Sequence, residues 1–264
     1  MAGPTAAERG EAQQESSGPP RAGRFRRPRL RTIILSSAGL VLAGAGSVWL
    51  LYGSSWLQAE QVSVSGTREL TPAQVREAAD VPLGDPLVSV DTGAIEARLA
   101  RKLPRIDEVR VERSWPHGVT VKVTERTAVL VVRKGGRYVE VDDEGVRFAT
   151  VSRAPKGVPA LELTPARSGS AAASLRRFGE DRLVREAVRV AGGVPKAVAH
   201  RTRVVKVRTY DDISLELSDR RTVAWGSGEH AAGKGRALTA LMKATPRARH
   251  FDVSVPTAPA SSAS

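Results

Sequence analysis

Between Thr32 and Tyr52 the sequence runs TIILSSAGLVLAGAGSVWLLY without one charged side chain. As an α-helix rising about 1.5 Å per residue, that run is roughly 30 Å long, the hydrocarbon thickness of a bilayer. Buried helices of soluble proteins rarely run so far without charge. Trp49, Tyr52 and Trp56 gather at the far end, where aromatic rings favour the membrane–water boundary. Arg21, Arg24, Arg26, Arg27, Arg29 and Arg31 crowd the near end, and arginine excess marks the side kept in the cytoplasm. The reading is a single-pass cell-membrane anchor with Arg26, Arg27, Arg29 and Arg31 setting topology. It puts the N-terminus in the cytoplasm and everything after the anchor outside. A cleaved signal peptide is the rival, since Ala43-Gly44-Ala45 has the small-x-small form of a cleavage site. The apolar run continues past it through Val48, Trp49, Leu50 and Leu51, which favours the uncleaved anchor. Residues 1–31, rich in Ala, Gly, Glu, Ser, Pro and Arg, are expected to be a disordered basic tail.

The 264 residues leave room for one or two domains beside the anchor. Aromatics are only 4%, so a core has to be built from Val, Leu, Ile and Ala. The absence of cysteine excludes disulfides and cysteine-based zinc or iron–sulfur sites. A formal charge of +13 favours a polyanion, whether nucleic acid, acidic lipid or an anionic cell wall, without choosing among them.

The stretch Leu57–Arg126 parses into short elements. Val62 and Val64 alternate with polar residues in a strand that stops at Gly66. Thr71-Pro72-Ala73-Gln74 supplies an N-cap, a proline at N1 and a capping-box glutamine for a helix to about Ala79. Asp91 caps a second helix whose Ile95, Leu99 and Leu103 form one stripe, ended by Pro104. Val109 and Val111 alternate in a strand, the loop Ser114-Trp115-Pro116-His117-Gly118 follows, and Val119, Val121 and Val123 alternate in its partner. The order is β-α-α-β-β, with one sheet face against two helices. From Thr127 the pattern becomes strand-rich. Ala128–Arg133 and Arg137–Val141 flank a turn at Lys134-Gly135-Gly136, and a second turn at Asp142-Asp143-Glu144-Gly145 precedes Val146–Phe148. A flexible loop is expected near Thr164–Ser174. Leu183 to Ala191 has helical period, Val204–Arg208, Ile213–Leu217 and Thr222–Trp225 form a meander, a helix covers about Lys234–Thr245, and Phe251–Val255 is a strand. Residues 257–264 are expected to be disordered.

Catalytic and cofactor chemistry finds no support. Gly228-Glu229-His230-Ala231-Ala232-Gly233-Lys234-Gly235 mimics a phosphate-cradling loop, but Gly235 stands where a magnesium-binding Ser or Thr belongs. Its glycines are read as a turn and helix entry. The four histidines lack metal-ligand spacing, and no serine sits in a G-x-S-x-G elbow. Asp142-Asp143-Glu144 and Asp211-Asp212 are read as solvated turn formers. No stripe of aromatics interleaves basic residues as nucleic-acid binding requires. The expectation is a non-enzyme with no catalytic residue, metal or cofactor, and no nucleic-acid partner.

Several runs carry a family resemblance. Val62-Ser63-Val64-Ser65-Gly66, Leu103-Pro104-Arg105-Ile106, the V-x-R-x-W-P run Val111-Glu112-Arg113-Ser114-Trp115-Pro116, and Val121-Lys122-Val123-Thr124-Glu125-Arg126 together resemble a POTRA domain behind a membrane anchor. That arrangement is similar to the FtsQ/DivIB cell-division proteins. Val141 to Phe148, Val158-Pro159-Ala160-Leu161, Leu215 to Gly226 and Phe251-Asp252-Val253-Ser254-Val255 resemble later segments of the same family, and the likeness covers about residues 20–256. It implies an α+β chain: basic tail 1–31, transmembrane helix 32–52, POTRA domain 57–126, strand-rich β domain 127–256 with flanking helices, and a disordered tail 257–264. It implies a scaffold at the division septum whose partners are FtsB/DivIC-like and FtsL-like bitopic proteins, and through them the septal peptidoglycan synthase complex. Binding in that family adds a strand at an open sheet edge. Here the sequence departs, turning to Pro256 where the family carries one more strand, so the expected partner edge is Phe251, Asp252, Val253, Ser254 and Val255, with a different strand entirely as the alternative. Trp115-Pro116 and Glu125-Arg126 are expected to fix the hairpin and the interdomain junction, and Gly66 and Arg113 are expected to be structural residues of the same motif. A membrane-anchored module binding anionic wall polymer is the alternative.

Overall fold

The computed structural model describes residues 30–164, 172–173, 176–177 and 179–263. Arg26, Arg27 and Arg29, with nearly all of the expected tail, lie outside the described residues, as does most of the expected loop near Thr164–Ser174. Helix α1 (Leu30–Gly53) contains the uncharged run, and Thr32–Gly53 is long and apolar enough to cross a bilayer.

The first folded part follows the anticipated order: β1 (Gln61–Ser65), α2 (Pro72–Ala79), α3 (Thr92–Lys102), β2 (Ile106–Ser114) and β3 (Gly118–Glu125). Strand β3 is central, parallel to β1 and antiparallel to β2. Each helix starts where its cap dictates. Thr71 and Gln74 close a full capping box on α2, and Asp91 Oδ1 accepts the Ala94 N–H at 3.0 Å on α3. Val75, Ile95 and Leu99 from the helices bury against Val119, Val121 and Val123 of β3, forming the core of this domain. Gly66 ends β1 at φ +87°, and a Cβ there would lie 2.0 Å from the Val123 carbonyl oxygen, so no other residue fits without moving the central strand.

The second part is built on a nine-stranded sheet. Its strands are β4 (Leu130–Lys134), β5 (Arg137–Val141), β6 (Arg147–Val151), β7 (Ala160–Leu163), β8 (Thr202–Thr209), β9 (Asp212–Leu217), β10 (Thr222–Ala224), β11 (His250–Asp252) and β12 (Ala260–Ser262). They lie in the order β12-β11-β10-β9-β8-β7-β4-β5-β6. Gly135 and Gly136, both with positive φ, make the two-residue β4–β5 turn. Helices α4 (Glu180–Gly193) and α6 (Ala231–Ala244) bury one sheet face, where Val184, Ala187 and Leu238 meet Val205, Leu215 and Val223. A single-turn helix α5 (Lys196–Ala199) links α4 to β8. Alternate residues Lys206, Ser214, Glu216 and Thr222 occupy the other, open face.

Two strands depart from expectation. Strand β7 pairs in parallel with both β4 and β8, and its four residues are too few to show a period. Strand β12 lies in the stretch expected to be a disordered tail. Ala-Ser-Ser has little strand propensity of its own, and pairing with β11 orders it.

Leu99→Ala, which opens a cavity at a fully buried position, is expected to cost about 2–5 kcal/mol. Thr71→Ala, which removes only a cap, should cost about 0.5–2 kcal/mol. Urea denaturation of the two variants checks the ranking.

Candidate partner-binding edge and interdomain junction

A sheet edge leaves a row of backbone N–H and C=O groups unpaired, and those groups template another strand. The nine-stranded sheet has two edges, and they differ. At β6, Arg147 reaches Glu180 at 2.5 Å and Asp181 at 2.8 Å, so the rim carries a charged cluster. At β12 the residues are Ala260, Ser261 and Ser262, without charge or bulk. Thr245 Oγ1 hydrogen-bonds Ser261 Oγ at 3.1 Å, tying the C-terminal end of α6 to β12. Beside this edge, α6 and residues 256–259 enclose an apolar groove of about 950 Å³ lined by Ala237, Ala240, Leu241, Ala244, Pro256 and Pro259.

The expected partner edge Phe251–Val255 is therefore corrected. Phe251 and Val253 are core residues under α6, and β11 is covered on its outer side by β12. Asp252 Oδ1 accepts the Ser254 N–H at 2.9 Å, shaping the turn away from the strand. Of the five named residues only Val255 presents a large exposed apolar side chain. Alternation of Phe and Val with polar residues marks a half-buried strand equally well whether it is the edge or its neighbour, so the pattern could not separate the two.

The loop resembling a phosphate cradle does structural work. Lys234 is buried and donates to the Ser227 carbonyl at 2.9 Å, and burial pushes its ammonium below the ordinary lysine range. A Cβ on Gly235 would meet Pro195 Cγ at 3.2 Å, so the missing Ser or Thr is a packing requirement. The buried carboxylate of Glu186 accepts the Gly228 N–H at 2.5 Å and binds Arg189 at 2.8 Å. No cluster of metal-ligating side chains occurs among the described residues.

Glu125 and Arg126, adjacent at the end of β3, face two ways. The Glu125 carboxylate, 8% exposed, accepts the N–H groups of Arg68, Glu69 and Leu70 at 2.7, 3.1 and 3.0 Å. Burial would raise its pKa, but these three donors outweigh burial and hold it below the ordinary value. Arg126 extends the other way, into the β5–β6 turn, where it pairs with Asp142 and lies 3.3 Å from Asp107 and 3.5 Å from Glu144. Asp142 is buried and also accepts the N–H groups of Glu144 and Val146, so the reading of it as a solvated turn former is corrected. Arg105 adds a second tie, 2.8 Å from Glu140 with its guanidinium over the Phe148 ring. Arg113 donates to the Val90 carbonyl at 2.7 Å, fixing the hairpin against the turn before α3, whereas Trp115 is exposed and Pro116 half-buried.

Comparison with known proteins decides the family. Residues 57–126 match the family model described as POTRA domain, FtsQ-type. The cell division protein FtsQ of Streptomyces coelicolor is 77% identical over 264 residues, covering 100% of both chains. The chain belongs to the FtsQ/DivIB family. FtsQ of Streptomyces venezuelae is 54% identical, covering 100% of this chain and 99% of the other, and FtsQ of Mycobacteroides abscessus is 30% identical, covering 96% and 76%. Family members are non-catalytic proteins of the division complex, and this chain has a role in cell division.

Glu125→Gln places an amide N–H₂ among three donors and should destabilise the protein at neutral pH by about 1–3 kcal/mol. Because the folded carboxyl titrates below its ordinary value of 4.5, its stabilising contribution is present above that value. It is lost as pH falls through the folded value, so the gap between wild type and Glu125→Gln should narrow in acid. Arg126→Ala leaves Asp142 buried without its cation and should cost about 3–5 kcal/mol, with Arg126→Met plus Asp142→Asn recovering much of it. Thermal and denaturant melts across pH check both.

Proposed function

We propose that the chain is a non-enzymatic scaffold of the division machinery, held in the cell membrane with its N-terminus in the cytoplasm and its folded domains outside, at the septum. It binds a bitopic partner of the FtsB/DivIC type, in association with an FtsL-like protein, and through them influences septal peptidoglycan synthesis. One observation carries this reading: the uncharged edge β12 stands open beside an apolar groove, whereas the opposite edge strand β6 carries the ion-paired Arg147. Strand addition would satisfy the free backbone groups of β12, and alternate side chains of the incoming strand would reach the groove. Arg236, Lys243, Arg247 and Arg249 are exposed around that end of the sheet, so a partner segment with acidic flanks fits it.

Successive N–H groups of a strand point to opposite sides, so of Ala260→Pro and Ser261→Pro one removes an outward donor and the other a donor to β11. The outward replacement is expected to weaken capture of the purified partner about tenfold or more, roughly the loss of one well-formed edge contact with its register, while leaving the melting temperature nearly unchanged. If both variants bind like wild type, the edge is not the partner site. The alternative, binding of anionic wall polymer through the positive surface, predicts salt-sensitive capture of isolated polymer and no filamentation on depletion. A scaffold predicts undivided filaments or failed cross-walls.

A further inference from the structure

After Gly53, the exposed large apolar side chains among the described residues are Trp56, Leu83, Trp115, Val146 and Val255. The first three belong to segments bonded to one another. Gln58 bridges Pro86, the Ala59 N–H donates to Asp85 O at 2.9 Å, and the Gly84 N–H donates to Ala59 O at 2.9 Å. On the other side, the Glu60 N–H donates to His117 O at 2.9 Å. The stretch 58–60 is thus flanked by the loop carrying Leu83 and by the hairpin tip carrying Trp115. Trp56, Leu83 and Trp115 are 68%, 61% and 52% exposed, although a hairpin tip and a surface loop fold equally well with polar residues there.

Chain connectivity says what lies nearby. Gln58 is five residues beyond Gly53, and an extended chain covers at most about 3.5 Å per residue, so Gln58 stays within roughly 18 Å of the end of the span. The headgroup layer begins where the hydrocarbon ends, and Trp is the side chain most enriched in it. The segments bonded to residues 58–60 are therefore within reach of the bilayer surface. Glu60 and Asp85, both exposed, stand among them, so attraction to acidic headgroups is not the driving term; apolar and aromatic burial is.

We propose that Trp56, Leu83 and Trp115 form a lipid-contact surface that seats this end of the POTRA domain in the headgroup layer and fixes its orientation on the membrane. This rests on the reading of Thr32–Gly53 as an uncleaved anchor. The chain has no cysteine, so a single introduced one carries a unique spin label. The full chain, labelled through Asp85→Cys or, as an aqueous control, Ser218→Cys, is reconstituted into phosphatidylcholine vesicles without and with phosphatidylglycerol. Collision with a water-soluble nickel complex is then read by power saturation. The label at 85 is expected to collide about threefold less than that at 218, as an interfacial site does beside an aqueous one, irrespective of salt and acidic lipid. Leu83→Ser, and separately Trp56→Ser with Trp115→Ser, should raise nickel access at 85; the single Leu83 change keeps the test valid if the double variant misfolds. Equal access at 85 and 218 overturns the proposal. So does protection that appears only after division partners are added, which would make the patch a protein contact. Release of the chain from vesicles by alkaline carbonate would instead overturn the anchor reading.

Discussion

Two neighbouring residues at the end of β3 hold the folded part of this protein together. Glu125 turns back to the segment between β1 and α2 and gathers three backbone N–H groups; Arg126 turns forward into the β5–β6 turn and meets a buried Asp142. Each would be costly without its counterpart, since a buried carboxylate or guanidinium lacking partners loses its hydration with nothing in return. The Glu125 bonds close within the POTRA domain, whereas the bonds of Arg126 to Asp142 and Glu144 close only when the second domain is folded against it. Arg105, stacked on Phe148 and bonded to Glu140, adds a second tie beside it, since its carbonyl accepts the Arg126 N–H at 2.9 Å. A junction of directional charged bonds constrains angle as well as distance, which a patch of apolar contact does not.

The same sheet that receives the junction also carries the open edge, at its opposite end. Between β6 and β12 lie eight strand spacings, and at about 4.8 Å each the two rims are roughly 38 Å apart. The charged rim at β6 and the bare rim at β12 are different solutions to the same hazard. Charge on an edge strand discourages a second chain, and its absence at β12 leaves that side receptive. The short length of β12 limits indiscriminate pairing, while the neighbouring groove would reward a partner whose side chains match it.

How much of this was legible depended on the range of the interaction responsible. Gly66, the Thr71–Gln74 capping box and the Asp91 cap are decided within a few residues, and the sequence spells them out. The β-α-α-β-β order follows from valine alternation and one helical stripe, both local patterns. Strands β7 and β12 are made by neighbours distant in sequence, so nothing in Ala-Leu-Glu-Leu or Ala-Ser-Ser announces them. Asp142 shows the same limit in a side chain. An Asp-Asp-Glu-Gly run is an ordinary exposed turn unless an arginine sixteen residues earlier is folded onto it. The family motif singled out Glu125 and Arg126, but that one bonds back within its own domain and the other across to Asp142 was visible only in three dimensions.

These features bear on one another through rigidity. A strand added at β12 extends a hydrogen-bonded ladder that runs without a break to β5 and β6, and the β5–β6 turn is where Arg126 is anchored. The far edge is therefore connected to the POTRA domain through the backbone bonds of the sheet and a buried ion pair. A strand seated at that edge, as proposed, would be held in a set position relative to the POTRA domain. Loosening the junction would leave the edge competent to pair with a strand yet unable to specify where that strand is held, so binding and placement are separable properties of this fold.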